Sequence, residues 1–355
     1  MADDTMKQDH LEDNAPPRKK AKAVALLSGG LDSNLAVKLM QEQGVDVEAI
    51  AIKTPFCDFD CGKGCGHRVK EVADDLNVPL KTVYFGQEYL RMLKRPKFGF
   101  GSGMNPCLDC RSLMYTAAKQ HMEKVGADFI MTGEVLFQRP MSQNHHALEI
   151  IEKETGTVGK VLRPLSAKCL PLTDVEKSGC VKRENLWNIT GRSRKAQLAL
   201  AKRFGIANPP NAAGGCLLTD PQFSRRIRDL MDHMDDPMGV PGLNDVELLK
   251  VGRHFRLSST AKLIVGRNEI ENDIIWSLRL ENDLGMQVKK YPGASSILRG
   301  CGDVNSLAHR AAQITLRYSD CPRGKESSVE ITFNGKVSDI VAVPFDDHEL
   351  EILRI

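Results

Sequence analysis

The segment Ser28-Gly-Gly-Leu-Asp-Ser33 constrains the fold more than any other part of the sequence. An apolar run at residues 23–27 precedes it, and residues 34–43, which follow it, carry apolar side chains at helical spacing. A strand, a tight glycine turn and a helix in this order leave backbone N–H groups free at a helix N-terminus, where the helix dipole is positive. This turn is therefore predicted to bind a phosphate group.

Each residue type in the turn suits that role. Gly29 and Gly30 allow the backbone to approach a ligand closely, because they have no side chain. Ser28 and Ser33 add hydroxyl donors. Asp32 has two open interpretations, since its carboxylate can cap the helix or hold a Mg²⁺ ion beside a triphosphate.

Two common phosphate loops do not match this turn. A Walker A loop requires a lysine that is absent here, and a dinucleotide fingerprint requires a third spaced glycine. The pattern Ser-Gly-Gly-x-Asp-Ser instead resembles the pyrophosphate loop (PP-loop) of the ATP pyrophosphatases, which adenylate a substrate and release pyrophosphate. The alternative is an ordinary serine-glycine turn before a helix.

Strand and helix patterns alternate through the first part of the chain. Strands are predicted at residues 23–27, 47–52, 80–84 and 129–132, and helices at residues 34–43, 67–76 and 110–125. This alternation predicts an α/β fold with a parallel sheet covered by helices on both faces. Polar segments at residues 28–33, 53–65 and 132–139 follow three of the strands, at the sheet edge where such folds bind ligands.

The 355 residues are enough for two domains. Residues 1–22 are predicted to be a disordered tail, and residues 23–235 the catalytic domain, with helices at 195–204 and 222–234. A linker at residues 236–242 precedes a smaller α+β domain, residues 243–355. Its predicted elements are strands at 255–257, 261–266, 288–291, 329–333 and 340–343 and a helix at 271–280.

The sequence has no apolar run of about 18 residues and no apolar core near its first residues. We therefore expect a cytoplasmic protein without a membrane partner. Its 10 cysteines then favour metal binding or catalysis over disulfides. The net charge is only +3, but residues 181–228 hold ten basic residues against Glu184 and Asp220. This stretch is either a nucleic-acid footprint or a solvated helical face.

Cys107 and Cys110 form a Cys-x-x-Cys pair at the start of a predicted helix, where the helix dipole stabilises thiolates. A third cysteine, Cys216, follows two glycines about a hundred residues later. Structural zinc requires four ligands, whereas a [4Fe–4S] cluster held by three cysteines leaves one iron open. Alternatively, Cys216 is a buried apolar residue and the pair is a dithiol or half of a zinc site.

Taken together, four motifs resemble the tRNA thiolation enzymes of the PP-loop ATP pyrophosphatase (adenine nucleotide alpha hydrolase-like) superfamily. These motifs are the loop, the Asn-Pro-Cys-x-x-Cys-Arg segment at residues 105–111, Thr132-Gly133 and Gly-Gly-Cys216. The resemblance covers residues 23–220. Its cluster-free members have an aspartate where Cys107 stands, and use cysteines equivalent to Cys110 and Cys216 for persulfide chemistry. The additional cysteine places the chain nearer the [4Fe–4S]-dependent branch.

A second cysteine group consists of Cys57, Cys61, Cys65 and His67. Its spacing misses the radical-SAM pattern by one residue. Two interpretations of this group remain open: it forms a zinc site, or it is a redox-inert or sulfur-relaying loop. The remaining cysteines, Cys169, Cys180, Cys301 and Cys321, are isolated in the sequence.

Phe255-Arg-Leu-Ser-Ser259 and Ile264–Glu269 resemble the RNA-binding domain of the fibronectin-binding-protein-like family of ribosome quality control. The resemblance implies that Arg253, His254, Arg256 and Arg267 face RNA. The alternative is a strand–turn–helix with a solvated rim. Aromatic residues make up only 5% of the chain, which favours recognition of a folded RNA by its backbone and shape over base stacking.

The resemblance implies an ATP-dependent tRNA sulfurtransferase, an enzyme of transferase class. ATP and Mg²⁺ would bind at residues 28–33, with the base near Ile52, Lys53 and Gly133, and with Lys53 or Arg163 stabilising the departing pyrophosphate. Cys107, Cys110 and Cys216 would hold a [4Fe–4S] cluster. Sulfide or a persulfide carrier would donate the sulfur that is transferred. The partners would be tRNA and that sulfur donor, and a homodimer is a candidate assembly.

Three rival functions remain open from the sequence. The first is a cluster-free, persulfide-based tRNA 2-thiouridylase that uses Cys110 or Cys216. The second is an ATP-dependent enzyme that sulfurates or amidates a small molecule. The third is an RNA-binding factor with a nucleotide fold that has lost catalysis.

Overall fold

The computed structural model describes residues 20–56, 68–206, 208–209, 216–234, 239–300 and 304–355. The predicted tail lies almost entirely outside the described residues, as do Cys57, Cys61, Cys65 and His67. The chain divides into two compact units. The first contains Met1–Ala51, Val69–Lys81 and Tyr115–Pro210, and the second contains Ile52–Arg68, Thr82–Met114 and Asn211–Ile355.

The predicted parallel sheet is confirmed, with five strands in the order β3-β2-β1-β4-β5. Its strands are β1 Lys22–Leu26, β2 Asp46–Lys53, β3 Leu80–Tyr84, β4 Phe129–Thr132 and β5 Val161–Leu162. β1 is central, and its residues Ala23, Val24 and Ala25 are buried, as expected for a strand covered on both faces.

Helices alternate with these strands and continue after them. They are α1 Leu31–Glu42, α2 Arg68–Asp75, α3 Gln87–Lys94, α4 Cys107–Val125, α5 His145–Thr155, α6 Asp174–Lys177, α7 Lys195–Arg203 and α8 Pro221–Asp232. α1 and α4 each begin three residues before the predicted start. Gly30 and Pro106 supply the carbonyls that accept the N–H groups of Asn34 and Cys110, which extends each helix by one turn towards its N-terminus.

The main core of the first unit lies between the parallel sheet and its helices. Leu35 and Met40 of α1 are fully buried against Ala23 and Ala25 of β1 in one apolar cluster. No helix among the described residues is both long enough and apolar enough to cross a membrane.

The second unit contains a six-stranded antiparallel sheet, in the order β11-β10-β8-β9-β7-β6, which confirms the predicted α+β character of this region. Its strands are β6 Arg253–Arg256, β7 Lys262–Val265, β8 Leu284–Val288, β9 Ser295–Arg299, β10 Ser327–Phe333 and β11 Lys336–Ala342. The helices that follow α8 are α9 Leu243–Leu249, α10 Glu269–Ser277, α11 Val304–Arg317 and α12 Asp347–Leu353.

The predicted strand at residues 288–291 is wrong. β8 ends at Val288, where Lys289-Lys-Tyr-Pro292 leads into a turn, and the strand lies on the N-terminal side of the predicted position. Strand β9 and helices α9, α11 and α12 were not predicted from the sequence. One face of the sheet packs Phe255, Leu263 and Leu298 against Ala311 and Ala312 of α11.

We predict that Leu35→Ala lowers the free energy of unfolding by about 2–5 kcal/mol, because it leaves a cavity at a fully buried position. The matched control is Leu198→Ala, because Leu198 is 45% exposed. This substitution should change the free energy of unfolding by less than about 0.5 kcal/mol. Denaturant unfolding followed by the fluorescence of Trp187, which packs on the same core, measures both changes. Equal losses in the two variants would contradict the assigned core.

Candidate functional site

The predicted phosphate-binding turn has an open helix start. Gly29 has a φ of +75°, a conformation that favours glycine, and Gly30 is the extended residue immediately before α1. No side chain among the described residues caps α1 at Gly30, so capping is not the role of Asp32. The first N–H groups of the helix are therefore available to an anion.

The two serines of the turn stabilise its shape. The Ser33 hydroxyl donates to the Gly30 carbonyl at 2.9 Å, and the Ser28 and Ser33 oxygens lie 3.2 Å apart. Ser33 is buried, whereas Ser28 is exposed. The hydroxyl of Ser28 is therefore the better placed of the two to reach a ligand in solvent.

Gly133, directly after β4, packs against the first turn of α1. A Cβ atom at Gly133 would lie 2.5 Å from the carbonyl carbon of Asp32 and 2.5 Å from the Cα of Ser33, and would also clash with the Ser33 nitrogen. No side chain can be accommodated there without moving the loop backbone. The end of β4 thus sets the position of the loop.

The Asp32 carboxylate is largely buried beside the loop. Gln138 donates to its Oδ2 at 2.8 Å, while Oδ1 is buried without a hydrogen-bond partner among the described residues. Burial raises the pKa of Asp32, although the Gln138 hydrogen bond and the charges of Arg194 and Arg139 oppose the rise. A buried carboxylate oxygen without a partner is suited to a divalent cation such as Mg²⁺.

Sequence reasoning misses the side chains that surround Asp32. Gln138 lies in the polar segment 132–139 that the sequence places at the sheet edge, so its region was identifiable. Gln197 of α7, which is fully buried and favours the ionised form of Asp32, carries no motif that would reveal it. Neither polar atom of its amide has a hydrogen-bond partner among the described residues.

The prediction that Arg163 contacts pyrophosphate is wrong. Arg163 is 5% exposed, and its guanidinium donates to Glu134 at 3.1 Å, Glu152 at 2.6 Å and Tyr115 at 3.1 Å. Burial alone would lower the pKa of Arg163, but these neighbours raise it, so the group stays charged. Arg163 organises a buried network that includes Glu134, the residue after Gly133.

Ile52 and Lys53 are the last two residues of β2 and are half-buried. The Lys53 ammonium lies 5.5 Å from the centre of the Tyr84 ring, and the Lys53 carbonyl accepts the N–H of Phe85 at 2.8 Å. Their predicted place beside the adenine base stays a prediction.

The structure brings the two cysteine segments of the second unit together. Cys107 is the first residue of α4 and Cys110 lies one turn later, while the N–H of Met104 donates to the carbonyl of Leu218 at 2.9 Å. Cys110 and Cys216 pack against the same apolar cluster. The adjoining segments thus place the three predicted cysteines in one region of this unit.

These three cysteines are reduced and half-buried. Within the described ranges, no three His, Cys, Asp or Glu side chains are arranged as a metal site. The two glycines that precede Cys216 lie outside those ranges. The predicted cluster at Cys107, Cys110 and Cys216 therefore stays a prediction from the sequence.

The basic stretch at residues 181–228 is only partly available to nucleic acid. Arg183 binds Glu176 at 2.7 Å and two backbone carbonyls, and Arg203 binds Glu42 at 2.8 Å. The exposed basic residues are Lys182, Arg192, Lys195, Lys202 and Arg203 in the first unit and Arg225 and Arg228 in the second.

The predicted RNA-facing role is wrong for His254, which is 1% exposed, and for Arg256, which forms a bidentate ion pair with Asp229 inside the unit. Arg267 pairs with Glu271 but keeps an exposed side chain. Sequence reasoning misses Tyr318, whose ring centre lies 4.5 Å from the Arg253 guanidinium. A half-exposed aromatic ring beside cations is a better candidate for RNA contact.

Two family models match separate parts of the chain. Residues 21–177 match the tRNA methyl transferase HUP domain, and residues 252–353 match the NFACT protein RNA binding domain. The first match covers the parallel sheet with its glycine turn, and the second covers the antiparallel sheet.

The chain is also similar to curated tRNA-specific 2-thiouridylases MnmA. It is 24% identical to that of Roseiflexus sp. (strain RS-1) over 66% of this chain and 67% of the relative. It is 32% identical to that of Legionella pneumophila (strain Paris) over 60% of this chain and 58% of the relative. The chain spans between about a third and two thirds of the length of the first curated relatives it matches.

A solved structure, the U34-tRNA thiolase NcsA from Methanococcus maripaludis with its [4Fe-4S] cluster, shows 18% identity and a TM-score of 0.33 over 66% of this chain and 72% of that chain. The sequence matches relate residues 21–177 to PP-loop tRNA-modifying enzymes, and they relate residues 252–353 to the NFACT RNA binding domain. Both resemblances predicted from the sequence are confirmed.

We predict that Gly133→Ala destabilises the protein by about 1–3 kcal/mol, because the new Cβ overlaps the Asp32–Ser33 backbone. Gly30→Ala is the matched control. Gly30 has a φ of −81° and a nearest neighbour at 3.4 Å, so this variant should keep its stability within about 0.5 kcal/mol. Thermal and denaturant unfolding measure both. A Gly133→Ala protein as stable as the wild type would contradict the close packing.

We predict that Asp32→Asn raises the free energy of unfolding at neutral pH. The pKa of Asp32 is higher in the folded chain than in the unfolded chain, so its ionised form destabilises the fold above both pKa values. The gain should shrink as pH falls through the raised pKa. Unfolding measured across the acidic and neutral range tests this, and a variant less stable than wild type at neutral pH would refute it.

Proposed function

We propose that the chain is an ATP-dependent tRNA sulfurtransferase. It would adenylate a nucleobase carbonyl oxygen in tRNA and replace that oxygen with sulfur. The observation that carries the proposal is the open α1 start beside the Asp32 carboxylate, held by Gly133. The relationship to tRNA thiolation enzymes supports it.

In the first step, the loop N–H groups hold the β- and γ-phosphates of ATP. Asp32 would hold the Mg²⁺ ion, which would neutralise phosphate charge when bound. The place of Ile52, Lys53 and Gly133 near the base stays a prediction. The carbonyl oxygen of the tRNA base attacks the α-phosphorus, and the bond to the bridging oxygen of pyrophosphate breaks. Lys53 is the remaining candidate for stabilising the pyrophosphate, because Arg163 is committed to its buried network.

In the second step, sulfur replaces the activated oxygen. Cys107, Cys110 and Cys216 would hold a [4Fe–4S] cluster, which supplies an open iron position for a sulfide ion when bound. The carbon of the base gains a bond to sulfur and loses its bond to the adenylated oxygen, so that AMP leaves and a thiocarbonyl remains. Sulfide supplies the sulfur directly, whereas a persulfide carrier would supply it together with a two-electron thiol reductant that releases it as sulfide.

A persulfide mechanism is the second candidate, because the curated relatives are 2-thiouridylases. Cys110 or Cys216 would then carry the transferred sulfur, and the two would form a disulfide during turnover. Cys107 would have no chemical role in this mechanism.

The RNA substrate is supported by the NFACT-type match and by the exposed basic residues of both units. An enzyme that acts on a small molecule would not need this domain. The homodimer and the cytoplasmic location stay predictions.

We predict that Cys107→Ala, Cys110→Ala and Cys216→Ala each abolish thiolation of tRNA. The assay supplies ATP, Mg²⁺ and tRNA to anaerobically purified protein, with sulfide in one arm and a persulfide donor plus a thiol reductant in the other, and detects thionucleosides by mass spectrometry. The exposed Cys180 provides the control variant Cys180→Ala, which should keep full activity. The wild type should be brown with a broad visible absorption band, and the three site variants should lose that band.

Cys107→Asp separates the two mechanisms. Activity retained by this variant, with a colourless wild-type protein, would exclude the cluster and favour the persulfide mechanism. No thionucleoside and no ATP-dependent pyrophosphate release under any of these conditions would overturn tRNA thiolation altogether.

A further inference from the structure

Phe137 lies in the β4–α5 loop, residues 133–144, and it combines two unusual features. Its φ is +63°, in the left-handed region that glycine adopts easily and a bulky residue rarely adopts. Its ring is also 48% exposed, although an aromatic side chain gains stability by burial. A strained backbone that presents an apolar ring to solvent costs stability, which indicates a function for the ring.

Contacts on both sides of Phe137 hold it in this conformation. The Phe137 N–H donates to the Gln143 carbonyl at 2.6 Å, and the Arg139 N–H donates to the side-chain oxygen of Gln143 at 2.9 Å. Gln143 is itself buried. The ring of His145 meets the Phe137 ring in a T-shaped arrangement, with ring centres 5.6 Å apart. The loop therefore presents the ring in a defined position.

The residue after Phe137 joins the β4–α5 loop to the nucleotide loop. The Gln138 side chain donates to the Asp32 carboxylate at 2.8 Å, and Gly133, the first residue of the β4–α5 loop, packs against the first turn of α1. Phe137 is thus anchored next to the residue that binds Asp32, at the edge of the parallel sheet where the nucleotide loop lies.

A second segment, residues 190–195, lies against the β4–α5 loop. The Gly191 N–H donates to the Leu136 carbonyl at 2.7 Å, next to an isolated parallel bridge between the two segments. The second segment leads into α7, whose Gln197 favours the ionised form of Asp32. Both segments therefore border the nucleotide loop.

Positive charge is concentrated on these two segments. Burial raises the pKa of Asp32, and the charges of Arg194 and Arg139 oppose that rise, so both cations lie near the nucleotide loop. The β4–α5 loop contains one acidic residue, the buried Glu134, and the second segment contains none. The basic residues with exposed side chains are Arg139, Arg192 and Lys195. An excess of exposed cations is suited to a polyanion.

An aromatic ring among exposed cations is the arrangement that binds unpaired nucleotides. The ring stacks on the face of a base, and the cations contact the neighbouring phosphates. A paired region of RNA keeps its bases stacked on one another and offers mainly its backbone to such a surface. The ring of Phe137 therefore distinguishes this surface from a purely electrostatic one.

We propose that Phe137 stacks on an unpaired base of the substrate tRNA and holds that region of the RNA at the nucleotide loop. The proposal rests on the proposed function for its RNA substrate and deepens it, since it assigns a contact that positions the RNA. Arg139, Arg192 and Lys195 would bind phosphates near that base. The strain at Phe137 is then the cost of presenting the ring.

The first test compares the binding of fluorescently labelled total tRNA by full-length variants. Phe137→Gly removes the ring and suits a φ of +63°. It should melt no lower than the wild type, yet bind tRNA at least about fivefold more weakly. Phe137→Trp keeps a stacking ring and should retain the wild-type affinity within about twofold.

Val158→Gly is the matched control for the loss of an exposed apolar side chain. Val158 is 61% exposed and precedes β5, at the edge of the parallel sheet opposite the nucleotide loop. This variant should bind tRNA as the wild type does.

Salt dependence separates stacking from charge. Phe137→Gly should lose affinity by the same factor at each salt concentration, because the ring carries no charge. Arg192→Ala should instead reduce the slope of log affinity against log salt concentration by about 1.

Fluorescence and kinetics report the contact itself. The chain has two tryptophans, and Phe137→Trp adds a third, whose emission a stacked base should quench. Titration with total tRNA should therefore quench Phe137→Trp more than the wild type. In the thiolation assay, Phe137→Gly should raise the KM for tRNA at least about fivefold and leave the KM for ATP unchanged.

Equal tRNA affinities of the wild type and Phe137→Gly, or equal quenching of the wild type and Phe137→Trp, would overturn this proposal even if the wild type thiolates tRNA. An affinity loss that Phe137→Trp shares would also overturn it. A wild type that forms no thionucleoside, but whose tRNA affinity depends on the Phe137 ring, would instead overturn the proposed function and retain the contact. No binding of tRNA by the wild type would overturn both.

Discussion

Direct backbone contact between Gly133 and the first turn of α1 sets the shape of the nucleotide loop. The contact leaves no room for a side chain, so the position of the loop depends on where β4 ends. That end is anchored in turn, because Glu134 and Thr132 belong to the buried network around Arg163 and Tyr115. The buried charge of Arg163 thus supports the position of the nucleotide loop.

Both units contain buried charged side chains, which differ in how far their polar atoms are satisfied by hydrogen bonds. Arg163 is surrounded by acceptors and stays charged, which makes it structural. Asp32 has one oxygen satisfied and one oxygen without a described partner, an arrangement that costs stability and leaves a cation-binding atom. Burial lowers the pKa of Lys262 to about 8, so its ammonium group loses a proton more readily than that of an exposed lysine.

Much of the parallel sheet and its glycine turn was predictable from the sequence. Strands β3 and β4 fall at the predicted residues, and the glycine turn lies where the strand–turn–helix pattern places it. Local patterns succeed there because apolar residues predominate in these strands and polar or turn residues follow them. Both family resemblances were equally accessible, since they depend on short motifs.

The errors arose where a side chain is controlled by distant residues. Arg163 was one of two basic residues expected at the pyrophosphate, but its acidic partners Glu134 and Glu152 are 29 and 11 residues away. His254 and Arg256 were expected at the surface, yet Asp229 of α8 draws Arg256 inwards. The position of Gln197 near Asp32 was not accessible at all, because nothing in the sequence of the short amphipathic helix α7 shows which residue its buried amide approaches.

The charged face of the antiparallel sheet, which carries Arg256, Lys262 and Arg299, also has a consequence for folding. Side chains alternate with a period of two, so a shift of β7 by one residue would carry Lys262 into the apolar layer beneath α11 and turn Leu263 towards Asp229. Such a misaligned strand would lose an ion pair and an apolar contact at once. The charges on this face therefore also favour the native register of β6, β7 and β9 over registers shifted by one residue.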